Sequence, residues 1–444
     1  MMSQWIRFFR KSSQRVVHYF AHIPKTAGTS FIVLLDRFFP VAHIYPNQLW
    51  REAGKVDLTA NQKYSLFRGH FGGGGLSVLT DQQIHYFTIL RNPNALALST
   101  FNFVKRESNT KVHHLLKNKD MGFLDFLNHP MTSALVSNRM VRNLSFDFKQ
   151  DPAAQEVFLS AETIEYLQPI IQSNKPSISD SKRLHRAKKF IQRCQWFGLL
   201  ERFDESLQLL CYHMHWPPIG QTQKLNTHND KSDFNEQEIA KLAKLNQQDN
   251  QLYLFSEVIF EQKLKQMKQA LLSFKTKDDQ SIDELLDLSY QQHQSKLVTK
   301  KPIESFCYGF DQVLLGNQWH RREMMQPEES YFRWTGPGAS ASIDFWLPVQ
   351  NYDISIRIIN ATSTDILDRL NLTINKKRVN WRTEDRGVVR VLRLHCPADL
   401  IQKNGLLRLA LECDSMITHQ QAFDSDDERL VGVAVHWIQF KHVC

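Results

Sequence analysis

The spacing of apolar residues changes once along this chain, near residue 302, and that change limits the folds open to it. Upstream, short apolar runs alternate with stretches of three- and four-residue spacing. Val16 to Ala21 reads as a strand entering a turn at Pro24 and Gly28, and Phe31 to Phe39 has helical spacing. Lys63 to Phe67, Ile84 to Leu90 and Trp196 to Leu200 read as further strands. Asn235 to Phe274 holds Ile239, Leu242, Leu245, Leu252 and Phe255 at helical steps, with no Pro or Gly inside. Strands alternating with helices predict a parallel sheet covered on both faces. From Phe306 onward the period is two. Ala341–Leu347, Asp353–Ile359, Leu370–Asn375, Val388–Leu394, Leu406–Glu412 and Leu430–Ile438 alternate apolar with polar residues. That pattern predicts an all-β sandwich over 303–444. Residues 275–302 are polar and mixed in charge, and read as a linker in which Ile282 to Leu288 could form a turn or two of helix. Residues 1–274 then form the α/β domain.

Composition supports two real cores. Of 444 residues, 42% are hydrophobic and 23% charged, which excludes a disordered or collagen-like chain. The net charge of +9 is uneven: residues 302–444 carry 16 Lys and Arg against 18 Asp and Glu, so the whole excess lies upstream. The first part should therefore favour anionic ligands. No apolar run approaches the ~18 residues of a membrane span. Met1 to Arg15 is basic and aromatic without a signal-peptide core, and is suited to peripheral contact with an anionic membrane surface. Six cysteines without a CxxC pair favour reduced thiols, and the expected compartment is cytoplasmic.

The segment with most chemistry is His22-Ile23-Pro24-Lys25-Thr26-Ala27-Gly28-Thr29-Ser30, between a strand and a helix. Such a loop presents free amides and the positive end of a helix dipole. Gly28 permits close approach of backbone to an anion. Thr26, Thr29 and Ser30 add hydroxyls and Lys25 a point charge, making a phosphate cradle. The order is not that of a Walker A loop, because Lys25 precedes Gly28 instead of following the last glycine. An ordinary strand–helix turn with a solvated lysine is the plainer alternative.

His22 to Ser30 resembles the 5′-phosphosulfate loop of the carbohydrate sulfotransferases related to heparan sulfate 2-O-sulfotransferase, including bacterial members. Phe87-Thr88-Ile89-Leu90-Arg91-Asn92-Pro93, followed by Ser99, is similar to that family's strand, turn and helix holding the 3′-phosphate. Trp196 to Ser206 resembles a late strand running into a helix. Leu225-Asn226, Leu245-Asn246, Asp249 and Leu252-Tyr253 resemble the terminal helix. Asn92 stands where the family has Asp, and Ala95-Leu96 where it commonly has a charged pair ending in Arg. The resemblance implies a P-loop-like sheet flanked by helices and the donor 3′-phosphoadenosine 5′-phosphosulfate (PAPS). It implies Lys25, Thr26, Ala27, Gly28, Thr29 and Ser30 at the 5′-phosphosulfate, and Arg91 and Ser99 at the 3′-phosphate.

The base implied by the same resemblance is His70, in Arg68-Gly69-His70-Phe71 before four glycines. A neutral imidazole suits proton transfer near neutral pH. His113-His114 is a second candidate, in a basic stretch that reads as a solvated face; His18 and His22 read as structural. The implied reaction needs no metal, involves no nucleic acid polymer, and delivers sulfonate to a hydroxyl of a glycan or glycoconjugate. A P-loop kinase would need an acidic residue after an apolar strand, whereas Leu90 is followed by Arg91. A glycan-binding protein with a degenerate transferase domain is the non-enzymatic alternative. In the C-terminal part, Trp319-His320, Phe332-Arg333-Trp334, Trp381 and Trp437 look exposed enough to stack on sugar rings, although core packing is the commoner use of such residues.

Overall fold

The computed structural model describes residues 16–49, 52, 57–108, 111–146, 178–220, 234–298 and 301–443. The basic N-terminus and the Leu225-Asn226 pair lie outside the described residues. The chain forms two units, one within Met1–Ile32, His43–His213 and Thr222–Ala270, the other within Val33–Ala42, Met214–Gln221 and Leu271–Cys444.

The first unit is built on a parallel four-stranded sheet. Its strands are β1 (Val16–Ala21), β2 (Leu66–Gly69), β3 (Gln83–Leu90) and β4 (Cys194–Leu199), in the order β2-β1-β3-β4. The strands read from sequence are all present: Val16–Ala21 has the bounds expected, and the ends of the other three differ by at most three residues. Helix α1 (Gly28–Asp36) follows β1, and its first turn is pinned by Phe31, which stacks on Trp196 of β4 at 5.0 Å and meets Phe20 at 4.7 Å. Helix α2 (Pro93–Arg106) follows β3. Asn92 caps it by accepting from the amides of Asn94 and Ala95, so the amide side chain performs the capping an aspartate would.

The helical stretch expected over 235–274 is interrupted once. One helix ends at Leu245, and the long helix starts at Gln247 and runs to Leu271. Between them Asn246 is buried, and its side-chain oxygen Oδ1 accepts from the backbone amide of Asn138 at 3.1 Å. In return Asn138 accepts from the amides of Gln248 and Asp249. Helix α3 (Arg139–Ser145) starts there, and helix α4 (Gln247–Leu271) is the long helix it meets. The carboxylate of Asp249 caps α3 through the amides of Met140 at 3.0 Å and Val141 at 2.8 Å.

Within the sheet, His18 of β1 is buried against Phe87 and His85. Burial, then the positive charge of His85, pushes its pKa down to about 4. An unfolded histidine binds a proton near pH 6.5, so between pH 6.5 and 4 the unfolded chain takes up a proton that the folded one refuses. His18 therefore adds no instability above pH 6.5, and progressively removes up to about 3 kcal/mol as the pH falls towards 4. His18→Phe is expected to flatten the fall in Tm between pH 6.5 and 4.5. An unchanged slope in the variant would assign the acid sensitivity to other groups.

The second unit is dominated by two antiparallel sheets. One runs Trp381–Arg382, Arg390–Cys396, Tyr352–Ala361, Val433–His442, Ser330–Trp334, Glu323–Met325, with Ser305–Gly309 also paired to Val433–His442. The other runs Lys377–Val379, Asn371–Ile374, Leu406–Glu412, Ser340–Trp346, Gly316–Asn317. The period of two is visible in burial: Tyr352, Ile354, Ile356 and Ile358 point inward on one sheet, Leu407, Leu409 and Leu411 on the other. The β-sandwich character read from sequence is present.

The residues read as a linker hold more helix than the turn or two expected at Ile282 to Leu288. They contain helix α5 (Ile282–Ser295), capped by Ser281, with Leu285, Leu286 and Tyr290 buried. The Tyr290 hydroxyl accepts from the indole N–H of Trp346 at 2.9 Å. Asp287 forms a two-pronged pair with Arg408, which also grips Asp344. The polar composition of the segment belongs to the outward face of a packed helix.

Candidate active site

The order β2-β1-β3-β4 places a switch point between β1 and β3. From β1 the chain steps to β2 on one side, then returns to β3 on the other. In open parallel sheets the crevice at the carboxyl ends of such strands is where ligands bind. The loop after β1 carries Lys25 to Ser30, and Arg91 directly follows β3. His70 follows β2.

The loop after β1 is held in an uncommon conformation. Lys25 (φ 72°) and Ala27 (φ 60°) both occupy the left-handed region, which costs a residue with a Cβ about 1–2 kcal/mol. A left-handed residue followed by a helical one turns consecutive amides into one concavity, an arrangement suited to anions. Ala27 and Gly28 form such a pair, because α1 begins at Gly28 and Phe31 donates to the Ala27 carbonyl at 3.0 Å. The amides of Gly28, Thr29 and Ser30 are first-turn donors that no intrahelical carbonyl can reach. Thr26 is fully buried, and its hydroxyl donates to the Ile23 carbonyl at 2.8 Å. Its proton thus closes the loop instead of facing a ligand. Thr29 is exposed and Ser30 half-buried, with hydroxyls at the start of α1.

Three residues far apart in sequence are tied to this loop. Arg91 donates from Nη1 to the carbonyl of Lys25 at 3.0 Å. The ammonium of Lys25 sits over the ring of Phe103 on α2, 4.4 Å from its centre. His70 meets the His22 carbonyl through Nδ1 at 2.9 Å, and the two imidazoles stack with centres 4.4 Å apart. A carbonyl only accepts, so Nδ1 carries the proton and the neutral ring keeps its lone pair on Nε2. Ser99 lies half-buried on α2, two turns beyond Asn92. The structure ties Arg91, His70 and Lys25 to one loop; no hydrogen bond joins Ser99 to them among the described residues.

His22 has a larger part than its sequence position suggests. Its imidazole fills the space beside Gly28, where a Cβ would lie 1.8 Å from Nε2. Burial lowers its pKa well below the usual value, and repulsion from His70 when protonated, from Arg139 and from Lys25 lowers it further. His22 therefore senses a convergence of cations, among them Arg139, a residue the sequence did not single out. The His113-His114 pair is directed elsewhere: His113 bonds through Nδ1 to the Val104 carbonyl near the end of α2.

Two other blocks read from sequence support the scaffold. Glu201 accepts from the Asn92 amide at 2.8 Å and from the Tyr253 hydroxyl at 2.7 Å, tying the turn after β3 to α4. Ser206 accepts from the Leu199 amide at 3.0 Å, and its carbonyl accepts from the indole of Trp196 at 2.9 Å. In the second unit the aromatics differ from the exposed set expected. Trp319 and Trp334 are buried, as is Arg333 between them in sequence, while Trp381 and Trp437 are half-buried. No group of three or more potential metal-binding side chains occurs among the described residues, and no helix among them is long and apolar enough to cross a membrane.

No family model matches the sequence, and no curated protein matches it. Among solved structures, the chain matches the family GH115 4-O-methyl-alpha-glucuronidase BtGH115A, which has specificity for decorated arabinogalactans, at 8% identity and a TM-score of 0.19. The match covers 81% of this chain and 51% of that one, so the chain spans about half the length of that structure. A likeness of that size carries no argument about fold or activity.

Proposed function

We propose that the protein is a PAPS-dependent sulfotransferase acting on a hydroxyl of a glycan or glycoconjugate. The observation that carries the reading is the meeting of three separate sequence blocks at one end of a parallel sheet. The Lys25 loop, Arg91 and His70 are joined by the Arg91–Lys25 and His70–His22 contacts. The left-handed residues of the loop, its first-turn amides and the surrounding cations fit a P-loop-like cradle for a phosphosulfate.

PAPS, when bound, supplies a sulfonate on a phosphate leaving group. In this reading the amides from Thr26 to Ser30 and the hydroxyls of Thr29 and Ser30, with Lys25, hold the 5′-phosphosulfate, and Arg91 and Ser99 hold the 3′-phosphate. With Nδ1–H engaged by the His22 carbonyl, His70 offers Nε2 to the acceptor hydroxyl. The acceptor oxygen forms the new bond to sulfur, and its proton passes to Nε2. The bond from sulfur to the 5′-phosphate oxygen breaks, and its electron pair departs on 3′-phosphoadenosine 5′-phosphate (PAP). Lys25 stabilises the charge that develops on that oxygen.

Ligand stabilisation tests the reading. At a hundredfold excess over its Kd, a ligand that binds only the folded protein adds about 2.7 kcal/mol. PAP is expected to raise Tm well above the effect of equal 5′-AMP, because only PAP offers a 3′-phosphate to Arg91 and Ser99. Equal shifts would remove those two residues from the site.

A further inference from the structure

The candidate site is bounded by a ring of contacts, and one member has no role in the reading above. The glycine run after His70 docks on α3: Gly73 donates to the Asn143 carbonyl at 2.8 Å and Gly74 to the Phe146 carbonyl at 2.6 Å. A Cβ on Gly73 would lie 2.0 Å from the Leu144 carbonyl oxygen, so this approach requires glycine. The docking fixes α3, whose first residue is Arg139. Arg139 donates from Nη1 to the hydroxyl of Thr100 on α2 at 3.2 Å. One helical turn further along α2, Phe103 lies under the ammonium of Lys25. Residues three apart on a helix share a face, so Arg139 and Lys25 flank the same stretch of α2.

Among the described residues no carboxylate pairs with the guanidinium of Arg139. Asp249, an acid whose charge acts on it, gives both oxygens to the amides of Met140 and Val141. Thr100 uses its own proton on the Leu96 carbonyl and can only accept from Arg139. Among the described residues this is the side chain's one hydrogen bond, out of five N–H donors. Burial and the neighbouring Arg142 push its pKa down to about 10, so it remains charged at neutral pH. A half-buried, charged fork with donors that no described residue takes, whose charge acts on His22 together with that of Lys25, suits an anion with several oxygens.

We infer that Arg139 is a second cation of this site and that its guanidinium binds the oxygens of the transferring sulfonate, opposite Lys25. This rests on the sulfotransferase reading. The three sulfonate oxygens carry charge throughout transfer, and a positioned fork stabilises them without reorganisation. The plainer alternative is a structural clamp that ties α3 to α2 through Thr100.

The test compares the full chain with Arg139→Gln, Arg139→Lys and Thr100→Val, measuring Tm, affinity for PAP and for PAPS, and single-turnover transfer. Arg139→Gln should bind PAP within about threefold of the parent while losing affinity for PAPS about 10- to 100-fold, the worth of a charge-assisted hydrogen bond. Arg139→Lys should recover part of that loss, and Thr100→Val, which keeps the cation, should keep most PAPS affinity. Equal loss of Tm in Arg139→Gln and Thr100→Val, with the ratio of PAPS to PAP affinity unchanged, would overturn the inference in favour of the clamp. If the parent protein gains nothing from PAP over 5′-AMP, the PAPS reading itself fails. Arg139 is then judged with inorganic sulfate: stabilisation of the parent but not of Arg139→Gln retains it as an anion-binding residue, and equal stabilisation removes it.

Discussion

His70→Ala is expected to lower turnover by roughly 10²–10⁴-fold, the usual worth of a positioned general base, while PAP affinity stays near that of the parent. The imidazole is anchored through Nδ1 to the His22 carbonyl and stacked on the His22 ring. Under the proposed reading its remaining nitrogen serves the acceptor, not the nucleotide. Lys25→Ala is expected to behave differently, because in that reading its ammonium acts on the phosphosulfate in both the ground and transition states. Donor affinity and turnover should fall together. Single-turnover transfer from saturating PAPS, normalised to folded protein, separates the two. Near-parental transfer by His70→Ala would move the base elsewhere.

Arg408→Ala should destabilise the second unit by about 3–5 kcal/mol, the usual cost of removing one partner from a buried ion pair. Arg408 holds Asp344 through Nε and Nη2 and Asp287 through both Nη atoms. Asp344 is 4% exposed, and burial already raises its pKa against the pull of Arg408. Without the guanidinium, two neighbouring carboxylates face each other with no cation between them. The network joins α5 to both Ser340–Trp346 and Leu406–Glu412, so the β-sheet melting signal should report the loss. A change below 1 kcal/mol would class the triad with exposed surface pairs.

The parts legible in the sequence were those written in local pattern. Apolar runs gave the parallel strands, and alternation gave most of the sandwich strands to within a few residues. Short edge elements such as Glu323–Met325 and Gly316–Asn317 carry too few residues for a period and were not foreseen. The break at Asn246 was invisible because nothing in the local propensity ends the helix there; its partner, Asn138, is 108 positions away. The same holds for α5. Its polar residues read as a linker until Trp346 and Arg408, distant in sequence, define an inner face.

At the site, the place of the loop between a strand and a helix was legible from the apolar run before it and the turn residues Pro24 and Gly28. Thr26 shows the limit of such reading: its residue type suits a ligand, yet its proton goes to Ile23. Arg139 was not singled out, and His22, though it opens the loop segment, read as structural. Each gains its place through tertiary contacts: the glycine run docking on α3, and the stacking of His22 on His70. The available sequence signal was a pair of arginines, Arg139 and Arg142, three apart among apolar residues, a pattern that serves structure as often as function.

The central claim is that the chain moves sulfonate from PAPS to a sugar hydroxyl. Incubation with sulfur-labelled PAPS and a panel of acidic and neutral glycans tests it most directly, with PAP release measured in parallel. The account predicts label on at least one glycan, stable to PAP removal, with one PAP formed per label transferred and almost none with His70→Ala. Folded protein that binds PAP yet labels no glycan in the panel would contradict it, and would leave a binding protein with a degenerate transferase domain.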